Sequence, residues 1–136
     1  MNTIDQAITQ VLQSSATVMA QATEICYGAG TLETAYPFVV FFKQPRADAD
    51  RYSFSARVAR LQRYVVKAVD IGMSKQRAQE IADVIDAVLT DSTLTLSGWH
   101  WQHCHRTGDV EYQETLPDGQ VAWHVGGIYE ITVGKA

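Results

Sequence analysis

The 136 residues of the chain are 46% hydrophobic and 19% charged, a size and composition that predict one folded domain, residues 1–136, with most of its apolar surface buried. The longest apolar run, Phe38 to Phe42, is far below the roughly 20 residues that cross a bilayer, which argues against a membrane protein. The N-terminus has acidic and amide residues where a signal peptide would be basic, so we expect the protein to stay in the cytosol.

The net charge of −4 is distributed unevenly along the chain. Residues 43–67 contain seven basic residues and only two acidic residues, Asp48 and Asp50. This stretch therefore carries +5, and the remainder of the chain carries −9. Such segregation can hold acidic and basic surfaces of neighbouring copies together, or it can bind nucleic acid. The alternative is a solvated loop whose arginines contact nothing in particular. The basic residues are Lys43, Arg46, Arg51, Arg57, Arg60, Arg63 and Lys67.

The first half of the chain has the pattern helix, strand, loop, strand. Apolar residues at helical spacing predict a first helix over residues 3–25. The apolar, β-branched and aromatic residues 37–44 predict a central strand that is buried on both faces. The polar and basic stretch at about 45–63 predicts a long loop, and residues 64–69 predict an antiparallel strand that returns beside the first.

The second half begins with another helix. Ser74 is a suitable N-cap, and the apolar spacing behind it predicts a second helix that ends near Thr90. A third strand is predicted from Leu94 to Arg106, and a bulge at Gly108 separates it from a continuation, residues 110–115.

A turn at residues 117–119 leads to the last predicted strand, residues 120–133, whose odd-numbered apolar side chains share one face. Gly126 and Gly127 interrupt this strand, which predicts either a bulge or the close approach of another backbone. Together these elements predict an α+β fold, with two helices packed on an antiparallel four-stranded sheet in the order α-β-β-α-β-β.

Histidines concentrated in the third predicted strand raise the question of a metal site, because imidazole and thiolate are the usual zinc ligands. Side chains alternate along a strand, so His103 and His105 are expected to share a face with the two preceding tryptophans. His124, on the neighbouring strand, could add a third ligand. A closed site of four ligands does not follow from this spacing. These three residues are therefore weak metal candidates, and ordinary polar side chains are the alternative.

Motifs of common enzymes are missing from the sequence, which contains neither a Gly-x-Ser-x-Gly elbow nor a Gly-x-x-x-x-Gly-Lys phosphate loop. Cys104 could act as a nucleophile only with a base from elsewhere, because adjacent residues on a strand point apart. The sequence therefore predicts a protein that is not an enzyme and has no cofactor. A small zinc-dependent enzyme built on the histidine-rich strand is the less favoured alternative.

Three segments of the chain resemble the tail terminator, or tail completion, family of long-tailed phages. They are residues 34–42 (TAYPFVVFF), residues 78–89 (AQEIADVIDAVL) and residues 94–98 (LTLSG). Their order and spacing also agree with that family, and the likeness extends over most of the chain. The motifs are structural, since they define strands and a helix and contain no reactive group.

The resemblance implies an antiparallel sheet with helices packed against it and a structural role in a virion. Proteins of that family assemble as a hexameric ring that caps the finished tail tube and joins it to the head. For this chain the resemblance implies a homo-oligomer, a hexamer, made in the bacterial cytoplasm and located at the head-proximal end of the tail. Its partners would be the tail tube protein and a neck protein. Another neck or connector component of the head–tail junction is the alternative.

The basic loop is the predicted contact surface of such a ring. Its arginines could lie against the adjacent subunit, or they could face the lumen and contact the phosphates of passing DNA without reading the bases. The candidates for these contacts are Arg46, Arg51, Arg57, Arg60 and Arg63.

Overall fold

The computed structural model describes residues 3–28, 34–44, 49–53, 56–91, 93, 96 and 98–135. The helices in this part of the chain are α1 (Thr3–Ser14), α2 (Ala16–Gln21) and α3 (Gln76–Asp91). The strands are β1 (Ile25–Tyr27), β2 (Phe38–Lys43), β3 (Ala49–Ser53), β4 (Ala56–Ile71), β5 (Trp99–Thr115) and β6 (Val121–Lys135). No helix among these residues is long and apolar enough to cross a membrane.

The strands form one sheet in the order β1-β2-β4-β6-β5, and β3 lies beside the first half of β4. Strands β2, β4, β6 and β5 are antiparallel to one another, and they are the four strands predicted from the sequence. The prediction of a four-stranded sheet is nevertheless incomplete, because β1 pairs in parallel with β2 and because β3 pairs with β4. A strand of three residues such as β1 is too short to show the alternation that identifies a strand.

The predicted long loop at about 45–63 is wrong for most of its length. Its described residues are strand, since β3 and the start of β4 form an antiparallel hairpin. Residues 45–48 and 54–55 lie outside the described part of the chain. Backbone N–H and C=O groups make the pairing in a hairpin, so long charged side chains do not prevent it. The basic residues of this segment therefore lie on paired strands and not in a loop.

The predicted first helix, residues 3–25, is wrong as one continuous element, because Ser15 divides it into α1 and α2. The backbone of Ser15 is extended, with φ −81° and ψ 111°. Its Oγ accepts a hydrogen bond of 3.3 Å from the amide of Val18, which caps α2. The apolar spacing continues through the break because both helices contribute to the same core, which includes Ile8 and Leu12.

The helices cover one face of the sheet, and the core lies between the two layers. Asp5 of α1 is buried there, and the hydroxyl of Tyr64 donates a hydrogen bond to its carboxylate. This contact supplies the partner that a buried carboxylate needs. The large side chains of the core are Ile8, Leu12, Phe41, Tyr64, Ile81, Ile85, Leu89, Tyr129 and Ile131.

The predicted second helix is confirmed as α3, and a salt bridge joins its first turn to the sheet. Arg77 donates from Nε to Asp70 Oδ2 at 2.7 Å and from Nη2 to Asp70 Oδ1 at 2.6 Å. Asp70 lies near the end of β4 and is buried, whereas Arg77 is exposed. Such a bidentate contact fixes orientation as well as distance, so it sets where α3 begins on the sheet.

The predicted close approach at Gly126 is confirmed. A Cβ at this position would lie 2.0 Å from the carbonyl oxygen of Val66 and 2.5 Å from the Cα of Lys67, both in β4. Glycine therefore lets β4 and β6 keep a register in which Lys67 pairs with Gly126. The predicted bulge near Gly108 is also confirmed, because the β5–β6 register shifts between Arg106 and Gly108.

Replacement of Gly126 by alanine is expected to lower the free energy of unfolding by about 2–4 kcal/mol, because the added methyl group overlaps the backbone of β4. Urea denaturation measures the loss. The matched control is Gly108→Ala, whose added carbon would meet Ile128 at 3.5 Å, an ordinary contact distance. Equal losses in the two variants would contradict the close approach.

Loss of the Arg77 guanidinium in Arg77→Gln is expected to cost about 1–3 kcal/mol of stability, because it leaves the buried carboxylate of Asp70 without its bidentate partner. The control is Lys75→Gln. Lys75 Nζ lies 2.6 Å from Glu111 Oε1, but both side chains are about half exposed, so the expected change is below about 1 kcal/mol. Thermal unfolding followed by circular dichroism compares the two, and a larger loss in Lys75→Gln would refute the ranking.

Candidate assembly surface

A two-stranded hairpin projects from one end of the sheet. Pairing between β4 and β6 starts at Ala59, which lies opposite Gly134. Residues Ala56–Val58 extend beyond that point, and β3 is their only strand neighbour in the described part of the chain. We call β3 together with Ala56–Arg60 the arm. A ribbon of this kind leaves backbone groups accessible to a neighbouring molecule.

The arginines of the predicted contact surface do not converge on one site. Side chains alternate along β4, so Arg60 and Arg63 lie on opposite faces of the sheet. The guanidinium carbon of Arg60 lies 5.8 Å from the centre of the Trp99 ring. Nε of Arg63 instead donates to Glu130 Oε2 at 3.0 Å, on the face away from the helices. We call that face the outer face.

Two further candidates belong to the arm by their backbone positions. Arg51 lies opposite Ala59, and Arg57 lies opposite Tyr52. The remaining candidate, Arg46, lies outside the described residues. The structure therefore places Arg51, Arg57 and Arg60 on one hairpin. Arg63 lies further along β4, beyond the arm.

The opposite end of the sheet is acidic. Ala56 and Ile71, at the two ends of β4, are roughly 50 Å apart at the usual rise of about 3.3 Å per residue. The end of β5 pairs with the start of β6, and the start of β6 pairs with the end of β4. The corner of the sheet that these three strand ends form is therefore far from the arm. It carries three exposed carboxylates, Glu111, Glu114 and Asp118, of which Glu111 is paired with Lys75.

A pocket of about 540 Å³ opens at this acidic end. The loop after β4, the turn between β5 and β6, and the first residues of β6 form its walls. Trp123 is part of the lining, and its Nε1 donates to the carbonyl of Gly72 at 3.1 Å, which fixes the indole. Met73 lies at the edge and is fully exposed. The volume suits one large side chain or a small ligand.

The metal candidates His103 and His105 lie on the outer face, and the prediction that they share a face with the two tryptophans is wrong. The β5–β6 register shifts between Trp101 and His103, and this extra residue reverses the alternation. The two imidazoles stack with centroids 5.1 Å apart. His105 Nε2 lies 3.6 Å from Glu130 Oε1, so this pair has a carboxylate neighbour.

His124 does not join this pair. It is six residues from Glu130 along β6, which corresponds to roughly 20 Å. Its ring stacks on Tyr112 with centroids 4.4 Å apart, and its Nε2 lies 3.3 Å from Glu114 Oε1. Burial and the charge of Lys67 lower the pKa of His124, although Glu114 opposes them. No group of three His, Cys, Asp or Glu residues in the described segments is placed to hold a metal ion.

The thiol of Cys104 is buried against the core beneath the helices. Burial, with a contribution from the charge of Asp86, raises the pKa of Cys104 to about 12. The group is therefore a neutral thiol near pH 7, which is the unreactive form. Its surroundings favour a packing role over nucleophilic chemistry.

Asp86 belongs to a polar network between α3 and the β5–β6 hairpin. The hydroxyl of Tyr129 donates to Asp86 Oδ1 at 2.8 Å, and Nη1 of Arg106 lies 3.5 Å from the same oxygen. Burial and the hydrogen bond to Asp86 raise the pKa of Tyr129. A Cβ at Gly127 would lie 2.7 Å from Nε of Arg106, so this glycine makes room for the arginine.

Lys67 forms a cluster on the outer face that the sequence analysis did not predict. It is buried, its Nζ lies 5.6 Å from the centre of the Phe42 ring and 4.9 Å from that of Tyr112, and it donates to the Tyr112 hydroxyl at 2.5 Å. Aromatic faces stabilise a buried cation in this way. The feature of the sequence that could predict this cluster is a single lysine inside an apolar strand, at a position that alternation places away from the helices.

Comparison with known proteins gives a fold likeness only. No protein-family model matches the sequence, and no curated protein matches it. A chain in the solved virion of a native gene transfer agent particle superposes with a TM-score of 0.74 and 14% identity, over 97% of this chain and 95% of that chain. A second solved structure superposes with a TM-score of 0.56 and 14% identity, over 95% of this chain and 90% of its own. At this identity the likeness shows that the fold is shared.

Proposed function

We propose that this chain is a structural protein of a phage or phage-like particle and that it acts through contacts with other virion proteins. The observation that carries the proposal is the fold likeness to a chain of a gene transfer agent virion, which extends over nearly the full length of both chains. The three sequence segments that resemble tail terminators support the same role.

Within that role, the position that fits best is a ring at the head-proximal end of the tail, where it caps the tail tube and joins the tail to the head. A ring requires two different surfaces on each subunit, related by a rotation that closes. The arm and the acidic end meet this requirement, because they differ in charge and lie at opposite ends of β4. Following the family resemblance, the ring is a hexamer, and its partners are the tail tube protein and a neck protein.

The role is non-enzymatic in this proposal. The side chains that suggested chemistry in the sequence have structural surroundings: the thiol of Cys104 is buried and protonated, and the ring of His124 is stacked on Tyr112. The arm arginines can also contact phosphates if the arm faces the lumen, since such contacts need charge and no base recognition. The candidates for that contact remain the arginines of the basic stretch, Arg46, Arg51, Arg57, Arg60 and Arg63.

The position in the particle is tested by immunogold electron microscopy of virions that carry an epitope-tagged copy of the chain. Label at the junction of head and tail is the expected result. Label on the capsid or at the distal tip would overturn the terminal position and leave the virion role intact. Particles that contain no copy of the chain would overturn both.

Reversal of a single arm charge in Arg57→Glu is expected to raise the concentration at which the purified chain assembles by about tenfold, because it places a like charge against the acidic end of the next copy. Light scattering over a dilution series measures the mass. The matched reversal is Lys75→Glu at the acidic end, which adds to the attraction for the arm and should leave assembly unchanged or stronger. Equal weakening by both variants, with unchanged circular dichroism, would argue against the arm as a contact surface.

A further inference from the structure

The outer face of the sheet is apolar at its centre. The helices contribute to the core cluster on the other face, and none of their described residues belongs to the cluster on this one. Register and alternation place Phe42, Val110 and Ile128 on the outer face, where all three are partly exposed. Tyr112 lies beside them and is 46% exposed. A contiguous apolar surface of this kind is typical of a contact with another protein.

A positive charge lies within this apolar surface. Lys67 is only 8% exposed, and its neighbours across the sheet are Val40 of β2 and Gly126 of β6. Because Gly126 has no side chain, the lysine can extend over β6 toward β5, where the hydroxyl of Tyr112 accepts a hydrogen bond from its Nζ. The ammonium group is therefore held against the sheet and does not extend into solvent.

The charge of Lys67 has no counter-charge within the described part of the chain, where no carboxylate forms an ion pair with it. The carboxylates of the outer face have other partners. Glu114 Oε1 lies 3.3 Å from His124 Nε2, and Glu130 accepts a hydrogen bond from Arg63. A buried cation without a counter-charge is costly, and aromatic faces offset only part of that cost.

The group that would complete this site is a carboxylate, because an ammonium has three N–H donors and the Tyr112 hydroxyl uses one of them. The same face of a second copy is unsuitable, since a two-fold contact would bring two Lys67 ammonium groups together. In the proposed ring, the arm and the acidic end provide the contacts between copies. These arguments favour a partner that is a different protein.

We infer that the outer face around Lys67 is the docking surface for a different virion protein, which places an aspartate or glutamate against the Lys67 ammonium group and apolar side chains against Phe42 and Tyr112. The docking rests on the proposed function, because it assumes that the chain acts through contacts with other virion proteins. It adds the surface that makes one of these contacts and the chemistry of the group that binds there.

Zero-length cross-linking of purified wild-type virions tests the docking directly. A carbodiimide joins an amine to a carboxylate in contact with it as an amide, with loss of water, and mass spectrometry identifies the two residues. The expected product joins Lys67 to an aspartate or glutamate of a different virion protein, and it is absent from the isolated chain. The internal control is Lys75, whose Nζ lies 2.6 Å from Glu111 Oε1 of the same chain.

Two results of this experiment would overturn the docking. One is a cross-link from Lys67 to a second copy of the chain. The other is the absence of any cross-link at Lys67 in virions in which Lys75 is joined to Glu111. Because the protein is wild type, neither result depends on how well a variant folds.

A variant without the charge gives a second test. Lys67→Met keeps an unbranched side chain, and in virions made from mixed variant and wild-type copies it is expected to be incorporated at least about tenfold less than wild type, since the partner carboxylate loses its cation. The matched control is Lys75→Met, an exposed position that should be incorporated as wild type is. Quantitative mass spectrometry measures the ratios.

Equal incorporation of Lys67→Met and Lys75→Met would overturn the docking and leave the proposed function in place. Circular dichroism of the two purified variants shows that both are folded. Virions that contain no wild-type copy of the chain would overturn the proposed function itself.

Discussion

Strand β4 is hydrogen-bonded along both edges, and this constraint organises the molecule. Its first half lies between β3 and β6, and its second half lies between β2 and β6. The register with β6 depends on Gly126, where a Cβ would overlap the β4 backbone. One strand thus carries the arm at its start, the core tyrosine Tyr64 in its middle and the wall of the pocket at its end.

Much of the fold follows from the sequence because burial leaves a periodic signature. The helix α3 and the strand β2 were predicted closely, since each buries a continuous apolar face. Two errors have the same origin, because periodicity reports burial and says little about chain continuity. The apolar spacing passes through Ser15 although the helix breaks there, and β3 carries too few apolar residues to be distinguished from a loop.

The candidate site was predictable in composition but not in arrangement. The basic stretch identified the arm, yet alternation along β4 separates Arg60 from Arg63 by placing them on opposite faces. Alternation alone predicts the wrong face for the histidines, because the register shift after Trp101 reverses it. A bulge depends on how two strands pair, so residue types within one strand give little warning of it. The pocket combines three segments that are distant in sequence, which no local pattern reveals.

The two bulges of β5 also determine what kind of edge the sheet presents to other molecules. β5 is an edge strand of 17 residues, and within the described sheet its second edge has no partner. A straight edge of that length would be a template for uncontrolled polymerisation. The register shifts divide it into runs of three, four and eight residues, Trp99–Trp101, His103–Arg106 and Gly108–Thr115. The free edge of β5 therefore offers no long straight ladder with which a strand of another molecule could pair.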